Sequence, residues 1–500
     1  MNALPVLADS GLFELLCNHL KQGEQLYMVG GGVRDLLLGQ TSHDLDFVIN
    51  GDVRPLARSV ANALNGHFYM LDDDRNTARV IYYPGYKDRL ILDFAVMRGS
   101  NLEEDLRTRD FTINAMAINA HDPQKLIDPL GGAKHLKDKV LCPCSASSFI
   151  DDPVRLMRAV RFAVQLNLKL DKEILSLMRE AVTLLPCVSA ERQRDELFRI
   201  LDGNQIATAL RLLDKVGILS IVLPELTALK QVGQPLPHTL DVWEHTLAVV
   251  QALENLFGVL VGEYREESNN LTMGTAVLRL GRFRHKLAEH FARRMVPERS
   301  RRGLLHLAAL YHDAGKPVAV TDNDSGRRHF YRHERYSRST IVERGKALAL
   351  SAQEWEYLAL VTYGHMRIHH LAENASPPTR RAIFRYFRAT GEAGVDICLL
   401  SLADLLATYQ TALPQDIWLT ELDICRTLLE AWWDKKDEIV VPARLLNGDE
   451  LMEAFSLQPG PLVGKLLMEI QEAQAAGEIT NRQQALAFAR NRLMDYNEST

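Results

Sequence analysis

The pattern of hydrophobic and polar positions changes once along the chain, near residue 150. Before that point, short apolar runs at 26–29, 79–83 and 89–97 alternate with glycines and polar turns, which is typical of strands. After it, apolar residues recur every three or four positions to about residue 490, which predicts helices. The sequence therefore predicts an α+β chain, in which a small, mixed and mostly antiparallel sheet precedes an all-helical part.

Length and composition are those of a globular protein with several domains. A chain of 500 residues usually exceeds one hydrophobic core, so we expect two to four domains. The apolar share of 47% and the charged share of 24% exclude a disordered or fibrous chain. The six cysteines are too few for a disulfide framework. Because no membrane-spanning run and no signal peptide are visible, we expect a cytoplasmic protein.

A glycine turn and two aspartates predict a phosphate and metal site in the first part. Gly30-Gly31-Gly32 stand between a predicted strand and a predicted helix, where backbone N–H groups can approach a phosphate, and Arg34 follows. Asp44 and Asp46 alternate along the next strand, so both carboxylates face one side and suit Mg²⁺. Each feature alone is weak, since an isolated Asp-x-Asp usually marks a solvated strand face. Together they describe a two-metal nucleotidyltransfer site, for which Asp93 on a neighbouring strand is the third carboxylate.

The segment 107–118, RTRDFTINAMAI, adds a candidate contact for a triphosphate. Arg109 and Asp110 precede an apolar run that we expect to be helical, and Thr112 and Asn114 can cap it. An Arg–Asp pair is usually only a surface pair. Its place after the third predicted strand makes Arg109 a candidate clamp for the triphosphate.

Six motifs, taken in order, resemble those of one enzyme family. They are GGGVRD, HDLDFV, RDFTINAMA, DPLGG, DDPVRLMRAVRF and ERQRDEL. Their order is similar to that of the class II tRNA nucleotidyltransferases (CCA-adding enzymes) and the related bacterial poly(A) polymerases, over about residues 1–225. The resemblance implies a polymerase-β-like nucleotidyltransferase head and a helical neck. It also implies an enzyme that adds CCA to the tRNA 3′ end from CTP and ATP, with Mg²⁺ in a two-metal mechanism and without a nucleic-acid template.

The resemblance assigns roles to individual residues. Gly31 and Arg34 would contact the incoming triphosphate, while Asp44 and Asp46 would hold the metals. Asp152 and Arg155 are three apart, which predicts one helical face. This pair would read the Watson–Crick edge of C or A, because a carboxylate accepts from an amino group and a guanidinium donates to ring nitrogen and carbonyl oxygen. The other expected nucleotide contacts are Arg109, Arg158 and Arg161.

Two positions depart from the family's pattern. Asp151 stands where Glu is typical, and Thr108 stands where an Arg often precedes the Arg-Asp pair. The shorter side chain of Asp151 puts in doubt how the base-selecting helix is held. The last motif, from Glu191-Arg192 to Glu196, is expected to brace that helix. Because the key carboxylates and arginines remain, we expect the activity to remain as well.

A second set of motifs lies in the C-terminal half. His245, the dipeptide His312-Asp313 and Asp404 occur in the order H…HD…D, which resembles the HD superfamily of metal-dependent phosphohydrolases. Imidazoles and carboxylates from separate helices can converge on one metal and make a bound water nucleophilic. We expect these four residues to bind a divalent transition metal. Further histidines stand at His333 and His365. The alternative is an HD-derived scaffold that only presents RNA.

Basic clusters and a tail complete the predicted organisation. Arginines and aromatic residues interleave at 293–302, 327–335 and 379–388, which favours contact with RNA phosphates despite a net charge of -6, or equally a solvated helix face. The segment 445–486 resembles the C-terminal tail of CCA-adding enzymes. The predicted division is a nucleotidyltransferase head at 1–145, a neck or RNA-binding segment at 146–230, an HD domain at 238–425 and a helical tail at 440–500, with 231–237 as a linker.

Three functions remain open at this point. The first is CCA addition to tRNA. The second uses the same chemistry and is that of a poly(A) polymerase or an enzyme adding only A; the intact Asp152 and Arg155 and the tail favour the first. The third is a metal phosphohydrolase whose head only binds RNA or nucleotides. The intact Asp44 and Asp46 argue against the third, because a head without activity could lose them.

Overall fold

The computed structural model describes residues 11–84, 89–261, 271–296, 299–322, 328–373 and 376–498. By internal contacts the chain forms two compact units, of which the first comprises Met1–Arg192 with Leu212–Ile218 and the second comprises Gln193–Arg211 with Leu219–Thr500. The finer division into head, neck, HD domain and tail stays a prediction. The N-terminal residues 1–10, where no signal peptide is expected, lie outside the described ranges, as do 297–298 and 327 of the basic clusters.

A seven-stranded mixed sheet forms the centre of the first unit. Its strands are β1 (Leu26–Val29), β2 (Asp44–Ile49), β3 (His67–Asp72), β4 (Thr77–Tyr82), β5 (Leu90–Val96), β6 (Ala117–Asn119) and β7 (Asp122–Ile127). Their spatial order is β3-β4-β5-β2-β1-β6-β7. Strands β2 and β5 are parallel, and the other neighbouring pairs are antiparallel. The predicted α+β fold class is confirmed.

The two faces of the sheet differ in what covers them. Leu45, Phe47 and Ile49 of β2 point into the main core, where Phe47 stacks on Phe94 with ring centroids 5.3 Å apart. Val48 belongs to a smaller cluster on the other face. Because side chains alternate along a strand, the carboxylates of Asp44 and Asp46 lie on this second face. The polar site is thus backed by a buried apolar layer.

Short helices connect the strands of the first unit and continue after them. They are α1 (Leu12–Asn18), α2 (Gly31–Leu37), α3 (Val53–Ala63), α4 (Leu102–Arg107), α5 (Gly132–Lys137), α6 (Ser148–Asp151), α7 (Arg155–Gln165), α8 (Lys172–Ala181), α9 (Ala190–Leu201) and α10 (Ile206–Val216). Asp52 caps α3 and Asp171 caps α8 by accepting from a backbone N–H in the first turn. The boundary between the units falls within α9 and α10.

Two local predictions for the first unit are wrong. The apolar run after Arg109 is a short 3₁₀ turn at Thr112–Asn114 followed by strand β6, because residues 117–119 pair with β1. Asp152 does not share a helix with Arg155, since it has φ −150° and ψ 95° between α6 and α7. The physical reason is Pro153, because a residue before proline is disfavoured in the helical conformation.

The second unit is almost entirely helical. Its helices are α11 (Leu219–Val222), α12 (Val242–Leu260), α13 (Leu271–Leu280), α14 (Arg284–Ala292), α15 (Arg301–Tyr311), α16 (Lys316–Ala319), α17 (His333–Ala347), α18 (Ala352–Gly364), α19 (Met366–Ala372), α20 (Arg380–Thr390), α21 (Ala393–Tyr409), α22 (Gln415–Asp434), α23 (Gly448–Phe455), α24 (Pro461–Ala476) and α25 (Arg482–Glu498). Two short hairpins pair β8 (Arg294–Val296) with β9 (Arg299–Ser300) and β10 (Val320–Asp322) with β11 (Arg328–Phe330).

Helix α21 lies in the centre of this unit. Among the described residues, the window Ala393–Ala412 is long and apolar enough to span a membrane by length and composition, but 78% of it is buried inside the protein. Helices α12 and α21 pack together, and both carry polar residues that are fully buried, such as His245 and Asp396. A separate apolar cluster holds α23, α24 and α25 together. The centre of the unit is therefore an apolar helical core with buried charges set into it.

Candidate functional sites

Three aspartates lie together on strands β2 and β5. Asp44 and Asp46 are exposed on one face of β2, whereas Leu45 between them is buried. Asp46 lies opposite Asp93 in the parallel register of β2 and β5, and opposite Val29 on β1. Residues directly opposite each other point to the same face of a sheet, so the Asp46 and Asp93 carboxylates are neighbours. This arrangement provides the hard oxygen ligands that Mg²⁺ prefers.

The electrostatics at Asp46 fit a bound cation. Although Asp46 is open to solvent on one side, the glycine turn and neighbouring strands crowd its carboxylate, and this desolvation is the main cause that raises its pKa to about 6. The negative charges of Asp93 and Asp44 add to the increase, and Arg109 acts in the opposite direction. Asp93 itself accepts two hydrogen bonds of 2.8 Å from Nε and Nη2 of Arg79. A nearby divalent ion would offset the repulsion between these carboxylates. The residues present therefore fit a metal site.

The glycine turn after β1 lies directly against this cluster. Gly30 has φ 75°, a conformation that glycine adopts without strain, and a Cβ there would lie 3.2 Å from Asp46 Oδ2 and 3.4 Å from Arg109 Nη1. Gly31 begins helix α2 and lies close to the Arg34 guanidinium. Because Gly30 has no side chain, the backbone of the turn can lie directly against the carboxylate of Asp46. Contact of Gly31 with a triphosphate stays a prediction.

Arg34 and Arg109 are both held by acidic or amide partners. Arg34 donates from Nε and Nη2 to Asp35 Oδ1 at 2.9 and 2.7 Å, and from Nη1 to Asn114 Oδ1 at 2.7 Å. Arg109 donates from Nε and Nη2 to Asp105 Oδ2 at 3.1 and 2.9 Å. These bonds fix the two guanidiniums beside the glycine turn. Their role at the triphosphate stays a prediction.

Arg158 and Arg161 have local partners on and around α7. Arg158 donates from Nε and Nη2 to Asp110 Oδ2 at 2.9 and 2.6 Å. Burial alone would raise the pKa of Asp110, but the charge of Arg158 and its hydrogen bond bring the pKa below the usual value. Arg161 lies 4.2 Å from the centroid of Phe162. The bonds of Arg158 hold the turn that carries Asp110. Direct contact of either arginine with a nucleotide stays a prediction.

A cleft of about 950 Å³ contains the residues expected to read the base. Asp152, Arg155 and Arg192 line it, together with Arg75 and Arg98. Asp152 Oδ2 accepts a hydrogen bond of 2.7 Å from Arg192 Nη2. The guanidinium beside Asp152 is therefore that of Arg192, to which the sequence assigned only a bracing role. In the sequence, the feature that singled out Arg192 was its place in the ERQRDEL motif.

The Arg155 guanidinium is directed into the scaffold of the cleft. It donates from Nη2 to Thr108 O at 2.8 Å and from Nη1 to Ser148 Oγ at 2.9 Å, with a longer bond to Arg109 O. Thr108, one of the two departures from the family's pattern, takes part through its backbone. In this structure Arg155 thus joins the cleft to the segment that carries Arg109.

The four predicted HD ligands converge in the second unit. His245 Nε2 lies 3.0 Å from Asp404 Oδ1 and 3.6 Å from Asp313 Oδ2, and His312 Nε2 lies 3.2 Å from Asp313 Oδ2. Each of these residues is at most 8% exposed. Helices α12 and α21 and the end of α15 supply them. His245, His312 and Asp313 form one group whose donor atoms are close enough to hold a single ion.

His333 and His365 form a second such group with the same Asp313. His333 Nε2 lies 3.2 Å from Asp313 Oδ1 and 3.2 Å from His365 Nε2. Each ring uses Nδ1 to donate to a backbone carbonyl, that of Phe330 or of Thr362, so each Nε2 lone pair faces the centre. The sequence showed both histidines, but nothing in their spacing joined them to the HD motif.

The buried polar atoms of this HD centre support a metal site. His245 Nε2, His312 Nε2 and Asp313 Oδ2 make no hydrogen bond of normal geometry within the described residues, although Lys316 Nζ lies 2.6 Å from Asp313 Oδ2. Buried polar groups are nearly always partnered, so such atoms require an explanation. Mixed imidazole and carboxylate donors suit divalent transition metals. The residues present fit such an ion.

His369 ties Asp404 to a further carboxylate behind the HD centre. Its Nε2 lies 3.1 Å from Asp404 Oδ2 and its Nδ1 lies 3.1 Å from Glu421 Oε2. Ser401 Oγ donates to the other oxygen of Glu421 at 2.5 Å. Burial alone would lower the pKa of His369, but the two carboxylates raise it well above its usual value. This chain of contacts fixes the orientation in which Asp404 presents Oδ1 to His245.

The segment 231–237, expected to be a linker, packs beside the HD centre. Gln234 Oε1 accepts a 2.6 Å hydrogen bond from Lys316 Nζ. The ring of His238, just after this segment, lies edge-on to His245 with centroids 4.8 Å apart. These contacts hold the segment against the residues that surround the metal candidates, and its role as a linker between domains stays a prediction.

Two arginines of the basic cluster at 293–302 are structural. Arg301 donates from Nη2 to Asp396 Oδ2 at 2.8 Å, and Arg299 donates from Nε and Nη2 to Glu354 at 2.5 and 2.9 Å. Both guanidiniums are buried. The interpretation of an RNA-binding patch is therefore wrong for these two residues, since a buried ion pair presents no charge to RNA.

The mixed sheet with its aspartate cluster and the helical unit with its histidine–aspartate centre define a nucleotidyltransferase that carries an HD domain. Models of four families match the chain: the Poly A polymerase head domain at 26–142, the probable RNA and SrmB- binding site of polymerase A at 167–230, the HD domain at 275–407 and the putative tRNA nucleotidyltransferase domain 2 at 425–489. Along the chain, the four family matches occur in the same order as the head, neck, HD and tail motifs found in the sequence.

Similar proteins narrow the class to one family. The chain is 31% identical over 470 residues to an A-adding tRNA nucleotidyltransferase of Deinococcus radiodurans, covering 92% of this chain and 94% of that protein. It is 29% identical over 476 residues to a CC-adding tRNA nucleotidyltransferase of Geobacter sulfurreducens, covering 92% and 90%. The chain therefore belongs to the tRNA nucleotidyltransferase family. Its predicted enzyme class is confirmed, and a head without catalytic function is not favoured.

Solved structures agree on the fold. A CCA-adding enzyme in complex with ATP aligns with a TM-score of 0.60 at 20% identity, covering 98% of this chain and 96% of that one. A Thermotoga maritima CCA-adding enzyme complexed with tRNA aligns with a TM-score of 0.54 at 20% identity, covering 96% and 98%. At this identity the likeness concerns the fold.

Proposed function

We propose that this chain completes the 3′ CCA end of tRNA from CTP and ATP, in the cytoplasm and without a nucleic-acid template. The observation that carries the proposal is the pairing of two features in one unit. The carboxylates of Asp44, Asp46 and Asp93 lie together beside a glycine turn, and a cleft with Asp152 and two arginines can read a base. Relatives that match along most of the chain act on tRNA by name.

The residues of the first unit would divide the reaction between them. Asp44 and Asp46 would hold Mg²⁺, which when bound orients the triphosphate and assists attack by the 3′ hydroxyl. Asp93, paired with Arg79, would complete the carboxylate set. Arg34 and Arg109 would neutralise phosphate charge beside the glycine turn. Asp152 would accept from the exocyclic amino group that C and A share and that U lacks.

Addition of only part of the CCA sequence is the second candidate. The relatives whose alignment with this chain spans at least 90% of the relative's length include A-adding and CC-adding enzymes. Such enzymes would share the carboxylate cluster, because the chemistry of each addition is the same. The difference would lie in which nucleotide the cleft accepts at each length of the tRNA end.

One experiment separates these candidates. Purified protein is given tRNA ending at the discriminator base, at C or at CC, with CTP alone, ATP alone or both. Full CCA addition requires extension by CTP from the first two ends and by ATP from the third. Addition of A only to the CC end would identify an A-adding enzyme, and addition that stops after CC would identify a CC-adding one. No addition to any end would contradict the proposal.

We further propose that the HD centre is a metal-dependent phosphohydrolase. His245, His312, Asp313 and Asp404 would hold one divalent ion such as Ni²⁺, Co²⁺ or Mn²⁺. His333 and His365 would hold a second one with the shared Asp313. The Nε2 atoms of His245 and His312, which face carboxylates but make no hydrogen bond of normal geometry among the described residues, and the shared carboxylate support this assignment. A phosphomonoester or a 2′,3′-cyclic phosphate at a damaged tRNA end is the expected substrate, and hydrolysis of neither with any of these metals would contradict it.

A further inference from the structure

The side chains assigned to the two metal groups of the HD centre are closed off from solvent. Each of the six is at most 8% exposed: His245, His312, Asp313, His333, His365 and Asp404. The donor atoms His245 Nε2, His312 Nε2 and Asp313 Oδ2 are themselves fully buried. A phosphate substrate cannot reach a metal at these atoms while the protein stays in this conformation. Part of the chain has to move before the centre can act on a substrate.

Residues 231–240, here called the strap, lie between α12 and the 3₁₀ turn that precedes it, Pro224–Leu229. All of them belong to the described part of the chain, and they form turns but no helix or strand. Leu236, in the middle of the strap, is 80% exposed, and Pro237 beside it is exposed as well. The outer side of the strap therefore faces solvent.

The inner side of the strap contacts the HD centre at two points. The ring of His238 lies edge-on to that of His245, with centroids 4.8 Å apart. Gln234 Oε1 accepts a 2.6 Å hydrogen bond from Lys316 Nζ, and the same ammonium lies 2.6 Å from Asp313 Oδ2. The strap thus lies between solvent and two of the assigned ligands, His245 and Asp313.

The two ends of the strap are tied to each other. Val242 N donates to Val232 O at 3.0 Å, and Gln231 N donates to Asp241 Oδ2 at 3.0 Å. A surface loop whose ends are close together forms a compact unit. The strap can therefore lift from the centre as one piece, because its ends stay paired while its middle moves.

The bond between Gln234 and Lys316 is the contact that opening has to break at the greatest cost. Lys316 is only 7% exposed, and a hydrogen bond to a charged group stabilises more than one between neutral groups. The contact of His238 with His245 is between rings only. Two further side-chain bonds to the strap are exposed to solvent, from Arg328 to Gly233 and from Gln410 to Thr239.

We propose that the strap is a lid over the HD centre and that the bond between Gln234 and Lys316 is its latch. The inference rests on the metal centre of the proposed function. The closed strap blocks exchange of metal and phosphate with solvent. When the strap opens, the Lys316 ammonium loses its bond to Gln234 and can donate to an incoming phosphate. Opening of the strap is then the step that admits a substrate.

The first test measures how fast a bound metal is removed. The full-length protein is loaded with Co²⁺ and mixed with excess EDTA. Gln234→Met removes the acceptor at nearly the same side-chain length and should release Co²⁺ about tenfold faster. Gln234→Glu keeps an acceptor for Lys316 and should release it at the wild-type rate or more slowly. Gln231→Glu is the matched control, because it places the same charge at the exposed start of the strap, and it should leave the rate unchanged.

The second test needs no metal. Hydrogen exchange of the metal-free protein, measured by mass spectrometry on peptides that cover 231–242, reports opening of the strap itself. These peptides should exchange about tenfold faster in Gln234→Met, because the opening loses one hydrogen bond to a charged group. Peptides from α21 should be unchanged. Thermal unfolding of each variant verifies the fold.

Three results would overturn the inference. The first is wild-type Co²⁺ release and hydrogen exchange in Gln234→Met, and the second is an equal acceleration in Gln231→Glu. The third is faster hydrogen exchange in Gln234→Met with unchanged Co²⁺ release, because the metal would then leave by another route. Failure of the proposed metal centre has a different signature. If the wild-type protein binds no Co²⁺ but Gln234→Met still accelerates exchange in the strap, the metal centre fails and the latch stands.

Discussion

The two candidate metal sites of this protein are built in opposite ways. In the first unit, carboxylates on neighbouring strands of a sheet face an open surface, with Asp44 and Asp46 exposed. In the second, imidazoles and carboxylates from helices converge in the interior, where His312 is 0% and Asp313 is 2% exposed. An open, all-oxygen site suits a hydrated ion that arrives with its triphosphate, whereas a buried nitrogen and oxygen site suits an ion retained without substrate.

The largest expected effect separates the chemistry of the two sites. Asp46→Asn should reduce nucleotide addition by on the order of 10³-fold or more, because a lost metal ligand removes several kcal/mol of transition-state stabilisation. Hydrolysis at the HD centre should be unchanged. Both activities are measured on the same preparation, with tRNA binding as the control for folding. Equal loss of both activities would mean that the two sites do not work independently.

Metal retention should differ between the sites to a similar degree. After gel filtration in buffer without added metal, the wild-type protein should keep about one to two equivalents of a transition metal at its buried nitrogen and oxygen ligands. His312→Ala should lose this metal while adding nucleotides normally when Mg²⁺ is supplied. Elemental analysis measures the content, and Asp46→Asn is the control that should keep it. Metal that stays bound in His312→Ala would remove this residue from the ligand set.

The sequence located residues of both sites but missed some of the contacts in each. Strand alternation alone places Asp44 and Asp46 on one face, whereas the place of Asp93 opposite Asp46 depends on the parallel pairing of β2 with β5, which the local pattern does not encode. The pairing of Asp152 with Arg192 could not be predicted, since 40 residues separate them and Pro153 breaks the helix that the spacing suggested. His333 and His365 reach Asp313 only through the packing of α15, α17 and α18, which no period in the sequence encodes.

The buried charges of the second unit should matter more for stability than for RNA binding. Arg301→Met would leave Asp396 buried and without its main counter-charge, which should cost about 3–5 kcal/mol of unfolding free energy. Arg301 is buried and lowers the pKa of Asp396, against the effect of burial. Chemical denaturation measures the change, and Arg301→Met with Asp396→Asn should recover part of it. Unchanged stability together with weaker tRNA binding would restore the interpretation of an RNA-binding patch.

A smaller effect should appear in the pH dependence of the open site. The pKa of Asp46 is about 6, above that of an unfolded aspartate, so the metal-free fold binds an extra proton and loses stability as pH rises from about 4 to 6. In the assay, protons compete with Mg²⁺, and half-saturation should need up to about tenfold more Mg²⁺ for each pH unit below 6. Asp93→Asn, which removes one of the charges that raise this pKa, should shift the dependence to lower pH. An Mg²⁺ requirement that is constant between pH 5 and 7 would contradict the assigned coupling.

The smallest expected effect tests which arginine assists base selection. The exposed ion pair of Arg192 with Asp152 is worth about 0.5–1 kcal/mol, so Arg192→Gln should change the ratio of CTP or ATP to UTP addition by about two- to fivefold. Arg192→Lys should restore part of the selectivity, because it keeps the charge beside Asp152. Arg75→Gln, which alters the same cleft away from Asp152, is the matched control. The opposite result, in which Arg192→Gln keeps the wild-type ratios and Arg155→Lys changes them, would contradict this assignment. Arg155 would then have to leave its bonds to Thr108 and Ser148 when the nucleotide binds.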